Sequence, residues 1–553
     1  MKNTMVHKVF MLFICFCSYF VRSEDKAPKL TIVVVIDQFA YHELQKLQPY
    51  FKGGIKFLHD NGVRYVNAFH PHGMPETGVG HTSIGTGTLA KEHGIIGNNW
   101  LDAQGNSITC DADNAPHAAV FSPTGLYNFG VSPKNIMVDT LSDQLIMNSY
   151  PHAKNIVFSL SLKSRSAVGM AGRLGKAVWF DAQSGAFTSS KVYFDELPQW
   201  VKDFNQEKNI SELKDYTWDL TYPASSPAYN FSNTHDYEFS SVKKSWIGVK
   251  HEIDKKEHDP FLFFEKTPLA NKLLLDCATA CLKNTITNNP QERVVLWLSL
   301  SSLDLIGHVY GPNSLEALDM LYKIDTQLKD FIDKVYEAVP QEDVLFALTA
   351  DHGIVPILEE VKKNGLTFAQ RIDSKTLMSS VNEAIEKKHG ISNALEHFRM
   401  PSFYCNKNIL ELSKSQRNTI MYDIKNILMN HPGIKYAWTF DELSWSPYAC
   451  NVLPNYFKNQ LYRNRTGHII CQVQPYNYID IFTSGTAHGT PYDYDTHVPL
   501  IVYQKGKLFN KTIMETTYIP QLTVSLAEML RVPRPSASTF NLLSGISYNG
   551  VKK

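Results

Sequence analysis

Asp304-Leu-Ile-Gly-His308 places a carboxylate and an imidazole four residues apart, a spacing that turns both to one side if a helix begins there. Asp351-His352-Gly353 sets a second such pair side by side, with a glycine that permits a tight turn. Asp37 ends a run of β-branched residues, and His488-Gly489-Thr490-Pro491 opens a stretch that also holds Asp493, Asp495 and His497. Taken singly, Asp37 or Asp304 reads as a helix cap or a turn residue. As a set, three carboxylates and three imidazoles form a mixed oxygen and nitrogen donor group suited to zinc and related transition metals. It is too rich in histidine for magnesium or calcium alone. Two cations fit this many donors better than one.

A second unusual segment is Pro75-Glu-Thr77-Gly-Val-Gly-His81-Thr-Ser83-Ile-Gly-Thr-Gly-Thr88. Its small residues allow close backbone approach, and a hydroxyl at the start of a helix sits where free N–H groups hold an anion. Read alone, the segment is equally a Gly-rich connector with capping Thr and Ser. It lacks the Gly-Lys-Ser/Thr ending of a Walker A loop, and no Gly-x-Ser-x-Gly elbow supplies a serine hydrolase nucleophile.

These residues need elements to bring them together. Leu30–Ile36 (LTIVVVI) is a continuous β-branched run, the pattern of a strand buried on both faces in a parallel sheet. Val294–Leu300 and Val344–Leu348 repeat it, and each runs into an acidic residue within a few positions. In open α/β sheets ligands gather beyond the carboxyl ends of the strands, so acids at three such ends can converge. Ser314–Val335 carries apolar residues at helical spacing and predicts a crossover helix between the second and third strands. Ile479–Phe482 and Leu500–Tyr503 read as returning core strands. Residues 182–260, polar and turn-rich, read as an insertion rather than sheet. Residues 359–475, which include the helical stretch Ser379–Lys388, read as a second insertion, a small α+β cap.

At 553 residues with 43% hydrophobic, 20% charged and 12% aromatic content, the chain is an ordinary globular one. Lys plus Arg and Asp plus Glu balance at 54 each, so no net basic footprint of a nucleic-acid binder is present. Lys2 and Lys8 precede the apolar run Val9–Phe20, and Val21-Arg-Ser23 offers a cleavage site: residues 1–23 read as a signal peptide, with the mature chain 24–553 beginning near Glu24. No later stretch reads as a membrane span. Six cysteines remain, Cys110, Cys277, Cys281, Cys405, Cys450 and Cys471, in a chain where disulfides are permitted. For Cys277 and Cys281, four apart in a helix, a local bridge and a pair of buried free thiols are both open. Asn209, Asn230, Asn464 and Asn510 stand in Asn-x-Ser/Thr triplets.

Asp37, Thr77-Gly-Val-Gly-His81, His93-Gly-Ile-Ile-Gly-Asn98, Asp304-x-x-x-His308, Asp351-His352-Gly and His488-Gly follow the order found in the alkaline phosphatase superfamily, which this chain resembles from about residue 30 to 503. The likeness is nearest to the monomeric bacterial phosphate-irrepressible alkaline phosphatases with a threonine nucleophile (the PafA type), neighbours of the nucleotide pyrophosphatase/phosphodiesterases. The resemblance implies a three-layer αβα domain with a mostly parallel central sheet and two zinc ions. One would be held by Asp37, Thr77, Asp351 and His352, the other by Asp304, His308 and His488. His497 is the rival for the last place; His488 is preferred because His-Gly matches the family motif, which leaves His497 a structural or outer role. The resemblance also points to Asn98, Lys163 and Arg165 as phosphate-binding groups, although Lys-x-Arg by itself reads as a solvated face. Two departures stand out: Asp37-Gln38-Phe39-Ala40 lacks an arginine common in relatives, and Gly-His-Thr-Ser replaces Gly-His-Ala-Ser.

What the resemblance implies is an exported, periplasmic or secreted alkaline phosphatase, a monomer acting on small-molecule phosphate monoesters through a phosphothreonine at Thr77, with no nucleic-acid partner and no membrane span after leader removal. The nearest alternative is a phosphodiesterase or nucleotide pyrophosphatase, which would keep the metals and Thr77. A sulfatase is excluded because Thr77-Gly-Val-Gly-His81 supplies no Cys or Ser for conversion to formylglycine. A metal- or phosphate-binding protein without turnover is disfavoured by the complete set of nucleophile and ligands.

Overall fold

The computed structural model describes residues 26–546 apart from 103, 150–153, 211–215, 234–239, 243, 252–260, 446–452 and 481–482. The leader 1–23 and Cys450 lie outside the described residues. The core is a nine-stranded sheet made of β1 (Leu30–Ile36), β2 (Val63–Tyr65), β3 (Asn155–Ser161), β4 (Lys176–Asp181), β5 (Ala186–Thr188), β6 (Arg293–Leu300), β7 (Val344–Thr349), β8 (Leu500–Gln504) and β9 (Lys511–Ile513). Its order is β5-β4-β3-β6-β1-β7-β8-β2-β9. The five central strands β4, β3, β6, β1 and β7 run parallel; β5 and β8 are antiparallel to their neighbours. All seven side chains of β1 are buried, as its unbroken apolar run predicts for a strand covered on both faces.

Helices form the outer layers. Against one face pack α1 (Thr77–Thr86), α2 (Ser164–Ala171) and the C-terminal helix Pro520–Leu530. Against the other pack Pro268–Asn288, α3 (Ser302–Tyr310) and α4 (Leu315–Ala338). α4 is the predicted crossover, capped by Ser314 Oγ, which accepts from Ala317 N at 3.1 Å. Cys277 and Cys281 are free thiols buried in Pro268–Asn288, packing as small apolar groups. The other described cysteines are free as well. No helix among the described residues is long and apolar enough to cross a membrane.

Two regions depart from their reading. Residues 182–260 are not free of sheet, because Ala186–Thr188 turns back on β4 and forms one edge of the central sheet. Further along, Trp218, Thr221 and Tyr229 are tied to α4 through Asp319, which accepts from Trp218 Nε1 (2.6 Å), Thr221 N (2.7 Å) and Tyr229 Oη (2.6 Å). The predicted core strand at Ile479–Phe482 is instead a short strand, Tyr478–Asp480, paired parallel with Arg371–Asp373 outside the central sheet; residues 481–482 lie outside the described ones. A short apolar run looks alike in any sheet, and only the partner distinguishes them. These paired segments are the stem of the cap. Between them lie helices Ser374–His389 (α5) and Lys414–Met429 and a four-stranded sheet in the order Leu395–Arg399, Ser402–Cys405, Ile469–Val473, Ile434–Thr439, with its own apolar core around Val381, Phe403 and Ile424.

Candidate active site

Register builds the site. Val35 pairs with Ser299 and Thr349, and Ser299 pairs with Ser161. Two residues further on, Asp37, Ser301, Asp351 and Lys163 therefore reach the same level at the carboxyl end of the sheet. Asp304 enters from the first turn of α3, and His308 lies one turn further along the same helix. The loop after Tyr478–Asp480 contributes His488.

The side chains meet in two overlapping groups, Asp304–His308–His488 and Asp37–Asp304–His352, with donor atoms within 4.8 Å of one another in each. His308 Nε2 lies 3.3 Å and His488 Nε2 3.7 Å from Asp304 Oδ1. His352 Nε2 lies 3.5 Å from Asp37 Oδ1 and 3.3 Å from Asp351 Oδ2. Each imidazole is oriented through its other nitrogen: His308 Nδ1 donates to Thr486 O (2.8 Å), His352 Nδ1 to Gly353 O (2.9 Å) and His488 Nδ1 to Pro75 O (3.0 Å). That fixes the tautomer and leaves every Nε2 with its lone pair toward the acids, as in metal-binding imidazoles. His497 is arranged otherwise. Its Nε2 donates to Val66 O (2.8 Å), and its ring stacks between Tyr41 and Phe69.

Asp37 Oδ1, Asp351 Oδ2 and His352 Nε2 are buried and have no hydrogen-bond partner. Unpaired buried acceptors are costly, so three of them converging fit a bound cation. Electrostatics point the same way. Burial, then Asp351, pushes the Asp37 carboxyl well above its ordinary range. Burial, then His352 and His308, pushes His488 well below its own. Asp304, although buried, is held well below the usual carboxylate range by Lys163 and His308. Lys163 Nζ bridges Asp37 Oδ2 (2.6 Å) and Asp304 Oδ2 (2.5 Å).

Thr77 opens α1 and is buried, with Glu76 as the capping residue. Its carbonyl accepts from His81 Nδ1 (2.9 Å); that nitrogen is also 3.1 Å from Asp351 Oδ2. Asn98 is braced from both sides: its Oδ1 accepts from Gly78 N (2.8 Å), and its backbone N donates to Glu76 Oε2 (2.6 Å). The Asn98 amide NH₂ is the group left to offer. Arg165, in the first turn of α2, has a buried Nε without a partner. Above these groups opens a cleft of about 720 Å³, walled on one side by Glu76, Asn98, His308 and His488 and on the other by cap residues such as Lys375 and Arg399. Sequence reading assigned no role to Gln38, Glu76 or His81. His81 could have been singled out from its place in the Gly-x-Gly-His motif.

The small residues of α1 have a steric purpose. A Cβ at Gly80 would lie 2.3 Å from Asp351 O, and one at Gly85 would lie 2.2 Å from Gly169 O. Gly80→Ala is therefore expected to cost about 1–3 kcal/mol, the usual range for overpacking, and to shift Asp351. Gly85→Ala should cost a similar amount while leaving Asp351 in place. Urea unfolding and kcat/KM on both variants test this; equal activity losses at matched stability would dismiss the link to Asp351.

Comparison with known proteins places these residues in context. A family model described as type I phosphodiesterase / nucleotide pyrophosphatase matches residues 31–479. A Myroides odoratus protein named calcium-transporting ATPase is 26% identical over 537 residues, covering 95% of this chain and 96% of the relative. Alkaline phosphatase PhoV of Synechococcus elongatus is 28% identical over 531 residues, covering 94% and 93%. Alkaline phosphatase PafA of Elizabethkingia meningoseptica is 26% identical over 521 residues, covering 92% and 93%. A crystal structure of PafA superposes with a TM-score of 0.82, covering 94% of this chain and 99% of that one at 24% identity, and so shares the fold.

Proposed function

The chain belongs to the type I phosphodiesterase / nucleotide pyrophosphatase family, and from that premise we propose that it is a zinc-dependent phosphomonoesterase of the alkaline phosphatase kind, acting through a phosphothreonine at Thr77. The observation that carries the monoesterase reading is the pair of cations at the site, of which Lys163 is buried and Arg165 buries its Nε. Arg165, with an unpaired Nε, and Lys163 suit a transferred group with two negative charges. Relatives named alkaline phosphatases, aligned over more than nine-tenths of the chain, support it.

Two zinc ions, held by Asp37, Thr77, Asp351 and His352 and by Asp304, His308 and His488, would supply Lewis-acid activation of a hydroxyl and charge neutralisation at the leaving oxygen. The protein's own part is placement. Thr77 Oγ1 gives up its proton to solvent and bonds to phosphorus in line as the bond from phosphorus to the ester oxygen breaks, and the departing alkoxide takes up a proton to leave as the alcohol; water then attacks phosphorus from the side the alcohol left, breaking the bond to Oγ1, so that phosphate is released and Thr77 regains its proton. Asn98 Nδ2 and Arg165 donate to the non-bridging oxygens, where charge must be accommodated in a loose transition state. His81 holds the Thr77 carbonyl and so the first turn of α1. The apolar run at 9–20, preceded by Lys2 and Lys8, supports export, and the protein is read as a periplasmic or secreted monomer.

The test compares an aryl phosphate monoester with the matching diester on one zinc-loaded preparation. A diester lacks the third non-bridging oxygen, so a contact to that oxygen, worth about 1.5–3 kcal/mol when charge-assisted, is lost to it. Arg165→Ala is expected to lower monoester kcat/KM roughly tenfold to hundredfold and to leave diester hydrolysis nearly unchanged. Lys163→Ala should lower both, because Lys163 also bridges Asp37 and Asp304. A wild-type enzyme faster on the diester would move the assignment to the phosphodiesterase branch.

A further inference from the structure

Gln38 directly follows Asp37 and is 1% exposed, yet its φ of 72° lies in the left-handed region that residues with side chains seldom occupy. The turn makes two consecutive residues serve one site. Asp37 reaches His352 and Lys163, while Gln38 reaches the other two acids: its backbone N donates to Asp351 Oδ1 (3.1 Å) and its Nε2 donates to Asp304 Oδ1 (2.7 Å). The far oxygen of the same amide lies against α3, where a Cβ at Gly307 would fall 1.8 Å from Gln38 Oε1. Position 307 must therefore be glycine for this amide to sit where it does.

Asp304 is gripped on both oxygens, by Gln38 Nε2 on Oδ1 and by Lys163 Nζ on Oδ2. The two grips differ in kind. Lys163 neutralises the carboxylate, whereas a neutral amide fixes its rotation and leaves its charge available to a cation. His308 and His488 both converge on the oxygen that Gln38 holds. The geometry points to Gln38 as a positioning residue that sets Asp304 and Asp351 in register with each other, and so sets the cation affinity of the Asp304–His308–His488 group. Outer partners of metal ligands typically govern affinity by about 10–100-fold.

The inference rests on the two-cation reading above, and its test separates the two. Zinc is titrated against a chelating indicator into metal-free wild type, Gln38→Met, Gln38→Gly and Gly307→Ala, with thermal melts of each. Gln38→Met keeps the bulk and loses the donor; Gln38→Gly relieves the left-handed backbone; Gly307→Ala displaces the amide without touching it. All three are expected to bind the zinc of the Asp304–His308–His488 group about 10–100-fold less tightly than wild type, with Gln38→Gly melting no lower than Gln38→Met. Zinc affinities within twofold of wild type in both Gln38 variants would overturn the role of Gln38. Failure of the wild type to bind zinc would instead overturn the two-cation reading.

Discussion

Thr77→Ala is expected to abolish turnover of an aryl phosphate monoester almost completely, by roughly 10³–10⁶-fold in kcat, the range over which removal of a covalent nucleophile acts. The fold should survive, since one hydroxyl and one methyl are lost at the first turn of a helix whose other residues pack unchanged. Thr77→Ser should keep part of the rate. Acid quenching during turnover of a labelled substrate should leave phosphate on Thr77. The neighbouring Ser83 hydroxyl is occupied, donating to Val79 O at 2.8 Å on the buried length of α1. Label on Ser83 or Thr82 would show that the helix presents a different hydroxyl from the one assigned.

Metal removal has the second large effect. Dialysis against a chelator should abolish activity, with zinc restoring it and magnesium restoring little, because three of the seven proposed donors are imidazoles. His308→Ala should lower bound zinc from about two equivalents toward one. Asp304→Ala should be worse in rate and in stability. Its carboxylate is common to both donor groups and is one of two counter-ions to the buried Lys163, so its loss leaves that cation underpaired. Losses beyond the roughly 10–100-fold typical of outer partners are expected for both. A metal-free preparation with full activity would remove the basis for this prediction.

The central strands are legible in the chain because a strand covered on both faces has no polar alternation, and LTIVVVI, VVLWLSL and VLFAL are unmistakable in that respect. Acids that follow such runs are noticeable for the same reason. What joins them is less legible. Lys163 meets Asp37 and Asp304 from 126 and 141 residues away, through a register passed from β3 to β6 to β1. Nothing near Lys163 in sequence announces that its charge belongs between two carboxylates and not on a surface. Gln38 is hidden for a different reason: its role depends on a left-handed turn that composition does not encode for glutamine. Ile479 was legible as apolar and extended, but its pairing with Ile372 in the cap stem was not, because a three-residue strand carries too little pattern to choose a sheet.

The cap stem itself has a consequence for how such an enzyme diversifies. Arg371–Asp373 and Tyr478–Asp480 run side by side, so the cap leaves the catalytic domain and returns to it at one place. Closing a longer excursion from a fixed pair of anchors costs only slowly increasing entropy, about 0.6 kcal/mol for each doubling of length. Lys375 and Arg399, on the cap side of the stem, line the cleft above the acids, the wall that in the proposed reaction faces the alcohol portion of a substrate. Asp37, Asp351 and Lys163 are fixed by strands on the other side. Substitutions, insertions and replacements in the cap can therefore retune which alcohol is released while the strand register that aligns the acids stays untouched, and selection can act on substrate range and on chemistry as separable traits.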